Sequence, residues 1–139
     1  MAKQEIKVNW MENMAFKAEV NGHELMLDAA AEVGGENRGP RPKPLLMVAL
    51  AGCTGMDVVS ILKKMRVELD DFNVRIEGDV TEEHPKQFTQ MHVIYEFKGN
   101  DLPIDKLKKA VSLSEERYCG VSAMFRKAIE LSSEIKILD

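Results

Sequence analysis

The chain is poor in the residues that most often announce a function. Its 139 residues hold two cysteines, three histidines, one tryptophan and five prolines. Two cysteines cannot build the disulfide framework of a small secreted domain. His23, His84 and His92 have no metal-ligand spacing with one another or with the cysteines, so no metal site is expected. Positive charge is in deficit: 19 Lys and Arg face 23 Asp and Glu, for a net charge of −4 and a pI near 5.5. With no basic block either, nucleic acid is not an expected partner. The first ten residues, MAKQEIKVNW, lack the apolar stretch of a secretory leader. The longest uncharged apolar run, Pro44 to Met56, is short and broken by glycine, so neither a membrane span nor a membrane partner is expected. A cytoplasmic location follows as the expectation. There thiols stay reduced, which makes a cysteine pair more apt for redox chemistry than for stapling.

What remains is a chain that is 45% hydrophobic and 30% charged, enough to bury a core and still be well solvated. Its length suits a single domain over residues 1–139. Ile6, Val8 and Trp10 alternate with polar residues, as do Phe16, Ala18 and Val20. Asn21-Gly22 then gives a tight hairpin signal, since both residues tolerate positive φ. The first 28 residues are read as a three-stranded antiparallel meander. Residues 29–44 carry Gly34, Gly35, Gly39, Pro40, Pro42 and Pro44, which make a long loop of the kind that often carries function. From Leu45 to Met65 the pattern predicts a helix, apolar on nearly every face as far as Val59 and therefore buried all round.

Strands are expected around Val74–Val80 and Phe88–Lys98, the second with Met91, Val93, Tyr95 and Phe97 on one face. A helix should start near Asp101-Pro103, with Ile104, Leu107, Ala110, Val111 and Ser114 inward. A further helix is predicted over roughly residues 120–131, with Val121, Met124, Phe125, Ala128 and Ile129 inward. Ile135 and Ile137 suggest a closing strand. The order β-β-β-α-β-β-α-α-β defines an α+β fold.

The chemistry falls on the two thiols. Cys53 sits inside the apolar helix and Cys119 where the chain enters a late helix. A buried thiol is ordinarily just a small hydrophobe. Two of them at helical sites raise the alternative of a redox pair, which requires Cα atoms within about 4.4–6.8 Å. A nucleophilic thiol must be a thiolate, and an apolar helix opposes ionisation, so a cation should approach Cys53. Arg38, Arg41 and Lys43, in the loop before the helix, are the candidates. Asp57, one turn after Cys53, would raise the thiol's pKa unless it points away or has a partner. Gly52 and Gly55 flank Cys53, at a helix-propensity cost of about 1 kcal/mol each against alanine, which close packing or ligand access would explain.

The stretch Pro42-x-x-Leu45-Leu46-x-x-Ala49-Leu50-Ala51-Gly52-Cys53, followed by Asp57-Val58-Val59-Ser60-Ile61-Leu62, resembles the first cysteine motif of the OsmC/Ohr family of hydroperoxide-detoxifying proteins. Tyr118-Cys119-x-Val121-Ser122 resembles the second, and the element order fits across nearly the whole chain. The resemblance implies an OsmC-like fold assembled as an intertwined homodimer, with active sites at the subunit interface. It further implies that Cys53 attacks an organic hydroperoxide and that Cys119 resolves the product as a disulfide. A dithiol such as a lipoylated protein would then reduce the pair, and no bound cofactor is implied. The family's usual glutamate beside the helix-opening proline is absent, since Lys43-Pro44 stands there, and Gly120 replaces a common proline. Gly52, Met56 and Phe125 would line an apolar pocket over Cys53. The alternative is the same dimer serving as a binding module for a small apolar molecule, with little catalysis.

Overall fold

The computed structural model describes residues 1–139 and contains two compact units, Met1–Met47 and Val48–Asp139. The N-terminal unit is the expected meander: β1 (Val8–Glu12), β2 (Ala15–Val20) and β3 (His23–Leu27) pair antiparallel in that order. Both tight turns use left-handed asparagines, Asn13 and Asn21, the second followed by Gly22 at φ 83. The register puts Val8, Ala18 and Leu25 in one row and Trp10, Phe16 and Leu27 in the next, on a common face. Much of that face is open, with Trp10 65% exposed.

The long loop is ordered by one buried carboxylate. Asp28 accepts hydrogen bonds from the backbone N–H groups of Ala29 (2.7 Å), Glu36 (3.2 Å) and Arg38 (3.0 Å), while its own N–H donates to the Pro40 carbonyl. A short 3₁₀ turn, Ala31–Val33, lies between. Two glycines let the loop close tightly. A Cβ on Gly35 would fall 2.1 Å from the Ala29 oxygen, and one on Gly39 would fall 2.4 Å from that of Met26.

Helix α1 (Leu45–Lys64) follows, with Lys63 and Lys64 in the last turn, where the helix dipole favours cations. It is not buried all round. Only Leu50, Thr54, Val58 and Leu62 are buried, one ridge at four-residue spacing. Val48 and Met56 remain 62% and 76% exposed. The helix is long and apolar enough by composition to cross a bilayer, which the shorter uncharged run had not suggested. Here it is a core helix, and its buried ridge is interrupted by a hydrogen-bonded threonine.

The C-terminal unit is a three-stranded sheet in the order β4 (Asp71–Val80), β5 (Phe88–Lys98), β6 (Glu130–Leu138). β4 and β5 form an antiparallel hairpin. β5 and β6 are parallel, which requires a crossover, supplied by α2 (Ile104–Leu113), a π-helical turn (Ser114–Tyr118) and α3 (Gly120–Arg126). β5 is the central strand, and its Met91, Val93, Tyr95 and Phe97 are buried as the alternation predicts, joined by Ile94. They pack in a core with Leu107, Ala110 and Val111 of α2 and the buried ridge of α1. Phe72 and Phe97 stack with centroids 4.6 Å apart.

Two expectations shift. Ile104, Met124 and Ala128 are exposed rather than inward. The last helix ends at Arg126 instead of continuing to residue 131, because residues 130–133 pair with β5 and are drawn into β6.

Candidate active site: a thiol pair on a hydroxyl chain

Cys53 and Asp57 stand one turn apart on α1 and so share a face. Cys119 is the N-cap of α3, placed by the π-helical turn, whose closing bond runs from the Cys119 N–H to the Ser114 carbonyl at 2.8 Å. Such turns recur at functional sites because they re-aim a side chain within a helix. Both thiols are free, Cys119 buried and Cys53 half-buried. The two sulfurs and a carboxylate oxygen of Asp57 all lie within 4.8 Å of one another. Sequence alone could not supply that proximity.

The start of α3 serves both sulfurs. The Ser122 N–H donates to Cys119 Sγ at 3.3 Å, and the Val121 N–H donates to Cys53. Burial nevertheless pushes the Cys53 thiol above its ordinary pKa, and its hydrogen bond to Cys119 adds to the rise. The Val121 N–H pulls the other way, while the charges of Cys119 and Asp57 raise it further. No cation figures among these influences.

The three proposed cations sit earlier in the chain. Arg38 and Arg41 belong to the N-terminal unit. There the Arg38 guanidinium reaches Glu12 at 3.4 Å, and Arg41 donates to the Gly39 carbonyl and to Asn37 Oδ1, both at 2.8 Å. Arg41 also lines an apolar groove of about 480 Å³ with Phe16, Leu27 and Val33. Lys43 is exposed in the turn before α1. Of the proposed pocket residues, Gly52 and Met56 line one groove of about 740 Å³ with Val48, Val59 and Phe72, but Phe125 is not among its walls. Gly52 leaves open space around a would-be Cβ, whereas one on Gly55 would just touch Val74 at 3.4 Å.

Behind the thiols runs a line of hydroxyls that sequence reasoning did not assemble. Asp57 has a partner, as its position demanded: Ser114 Oγ donates to its Oδ2 at 2.9 Å. Ser114 contacts Thr54 Oγ1 at 2.7 Å, and Thr54 contacts the Tyr95 hydroxyl at 2.8 Å. Tyr95 in turn donates to Glu115 Oε2 at 2.9 Å. Glu115 also accepts from Ser133 through Oε1, and its carbonyl accepts from Arg126. Thr54, Ser114 and Tyr95 are fully buried. The available signal was three polar groups at core positions of otherwise apolar patterns. Burial drives the Tyr95 phenol far above its ordinary range; the Thr54 bond opposes this and Glu115 reinforces it, so the phenol keeps its proton. Cys53, Asp57 and Cys119 offer three donor atoms, one short of the four protein ligands of a structural zinc centre.

Residues 34–134 match the model of a family described as OsmC-like protein. Protein YhfA of Escherichia coli K12 is 32% identical over 133 residues, covering 95% of this chain and 96% of that one. The crystal structure of a hypothetical protein from Aquifex aeolicus VF5 superposes with a TM-score of 0.83 at 31% identity, over the full length of both chains. An organic hydroperoxide resistance protein OsmC from Legionella pneumophila shares the fold, with a TM-score of 0.67 at 18% identity over 98% of each chain.

Proposed function

Because this chain belongs to the OsmC-like protein family, we propose that it reduces organic hydroperoxides through Cys53 and Cys119, the whole chain acting as one OsmC-like domain in an intertwined homodimer. The observation that carries the reading is the approach of two reduced sulfurs to within 4.8 Å. The Cys53 thiolate attacks the distal peroxide oxygen, the O–O bond breaks, and the alcohol leaves after taking up a proton. Cys119 then attacks the sulfur of the resulting sulfenic acid, water leaves, and the disulfide forms. A dithiol reductant, such as a lipoylated protein, returns both thiols and is itself oxidised.

Arg38, Arg41 and Lys43 are the cations assigned to offset the upward push on Cys53. Alanine at the one that serves should slow Cys53 alkylation at neutral pH. The dimer is supported by apolar surface that each unit leaves open, Trp10 and Phe16 on the first sheet and Val48, Met56 and Val59 on α1. Light scattering should give a mass near twice 15.7 kDa. The site is assigned to the cytoplasm, where a dithiol pool is available.

The test is non-reducing mass mapping after one equivalent of tert-butyl hydroperoxide. A Cys53–Cys119 disulfide is expected in the wild type, and neither disulfide nor turnover in Cys53→Ser. Two thiols that stay free would refute the reading. The second reading, a small-ligand binder, is favoured by the groove at Gly52 and Met56 and by the raised Cys53 pKa. It would show a co-purified apolar molecule and sluggish thiol oxidation.

A further inference from the structure

The line of oxygens behind the thiols does not have enough protons. It links Asp57, Ser114, Thr54, Tyr95 and Glu115 through four contacts of 2.7–2.9 Å. Each is a normal O–H···O distance and needs one proton. The three hydroxyls supply one proton each, and an ionised carboxylate supplies none. With both Asp57 and Glu115 ionised, one of the four contacts would set lone pair against lone pair, between oxygens of which the three hydroxyls are fully buried and the two carboxyls half-buried. Thr54 shows the conflict directly: it touches Tyr95 and Ser114, whose own protons point to Glu115 and Asp57, and it has a single proton to give. A fourth proton resolves it.

We infer that this chain of five groups holds one shared proton on a carboxyl at one of its ends, and that it relays that proton between Asp57 and Glu115, leaving Asp57 free to take up the thiol proton of Cys53. In one state Asp57 is the acid and donates to Ser114, Ser114 to Thr54, Thr54 to Tyr95, and Tyr95 to the Glu115 carboxylate. In the other, Glu115 is the acid and all four bonds reverse. Each hydroxyl gives one proton and receives one, so no charge is left on any of the three.

The inference rests on the peroxide reading for its chemistry. With the shared proton on Glu115, the Asp57 carboxylate accepts the Cys53 proton through one bridging water, the sulfur lying within 4.8 Å. It then gives that proton to the departing alkoxide, so thiol plus hydroperoxide becomes sulfenic acid plus alcohol with nothing left over. The charged and titratable groups that face the chain are Cys53 of α1, Cys119 at the start of α3, and Arg126, which donates to the Glu115 carbonyl; Ser133 of β6 adds a neutral donor.

The proton count gives a test that needs no peroxide. The reduced wild type at neutral pH should show an infrared C=O band of a protonated carboxyl. Asp57→Asn and Glu115→Gln should each abolish it. The decisive variant is Thr54→Val, which keeps both carboxyls and the side-chain shape. It leaves two hydroxyl protons for two contacts, so its band should vanish, while Thr54→Ser should retain it. Thr54→Ser should match the wild type, and a melting scan confirms that each variant is folded. A wild type without the band, or a Thr54→Val protein that keeps it, overturns the relay. Mass mapping with peroxide reports separately on the thiol reading, so the two failures are distinguishable.

Discussion

Two carboxylate sites in this molecule are built on opposite balances. Asp28, in the N-terminal unit, is surrounded by donors: three backbone N–H groups converge on one carboxylate. Asp57 and Glu115, in the C-terminal unit, are joined by oxygens that lack a proton. Burial alone would raise the pKa of Asp28, but the N–H groups of Arg38, Ala29 and Glu36 and the Arg38 charge outweigh it, holding the carboxyl below its ordinary value. That site is locked in one state. The hydroxyl chain has two equivalent bonding patterns and so can respond. Excess donors make a structural anchor; a missing proton makes a relay.

The contrast can be broken from either side. The largest effect should come from Asp28→Ala, which leaves three loop N–H groups without their acceptor, a far greater penalty than losing a bond whose partners both disappear. Its melting temperature should fall more than that of any other variant named here. The pH dependence has a definite sign. Because its folded pKa lies below the unfolded value, Asp28 contributes stability at pH values above the ordinary carboxylate range, and this is lost as pH falls through the folded value. Asp28→Asn should therefore flatten the acid limb of a urea-unfolding series against pH. An unchanged limb would show that the loop does not depend on the charge.

Tyr95→Phe should cost less, about 1 kcal/mol in urea unfolding, despite complete burial. It removes a hydroxyl from a chain already short of protons, and the remaining groups satisfy one another. A loss as large as that of Asp28→Ala would contradict the proton count. Thr54→Ser should cost about 0.8 kcal/mol, the transfer value of one buried methyl-sized group. Glu134→Gln marks the lower end. His92 lies 2.6 Å from Glu134 and holds its carboxyl below the ordinary value, but the pair is exposed, so the melting temperature at neutral pH should barely move.

Much of the fold was legible before any coordinates. The Asn21-Gly22 hairpin, the alternation of Met91, Val93, Tyr95 and Phe97, and the existence of an apolar helix around Cys53 all rest on local periodicity or turn chemistry, and all three elements form. The misreadings have non-local causes. Residues 127–131 look helical in isolation, yet β5 offers a parallel edge that recruits residues 130–133 into β6. The full burial expected of α1 failed because one sheet covers only one ridge of a helix.

The site divides the same way. The sequence marked Cys53, Cys119 and an Asp57 in need of a partner, because a thiol and a charge in apolar surroundings are conspicuous by themselves. It could not show that Ser114 is that partner, nor join Thr54, Tyr95 and Glu115 to it. Those groups come from α1, β5 and the π-helical turn, and their meeting depends on how three elements pack. Composition and pattern determined which residues must be inside. Tertiary structure alone decided which buried oxygens face one another, and a hydrogen bond set by tenths of an ångström leaves no trace in spacing along a chain.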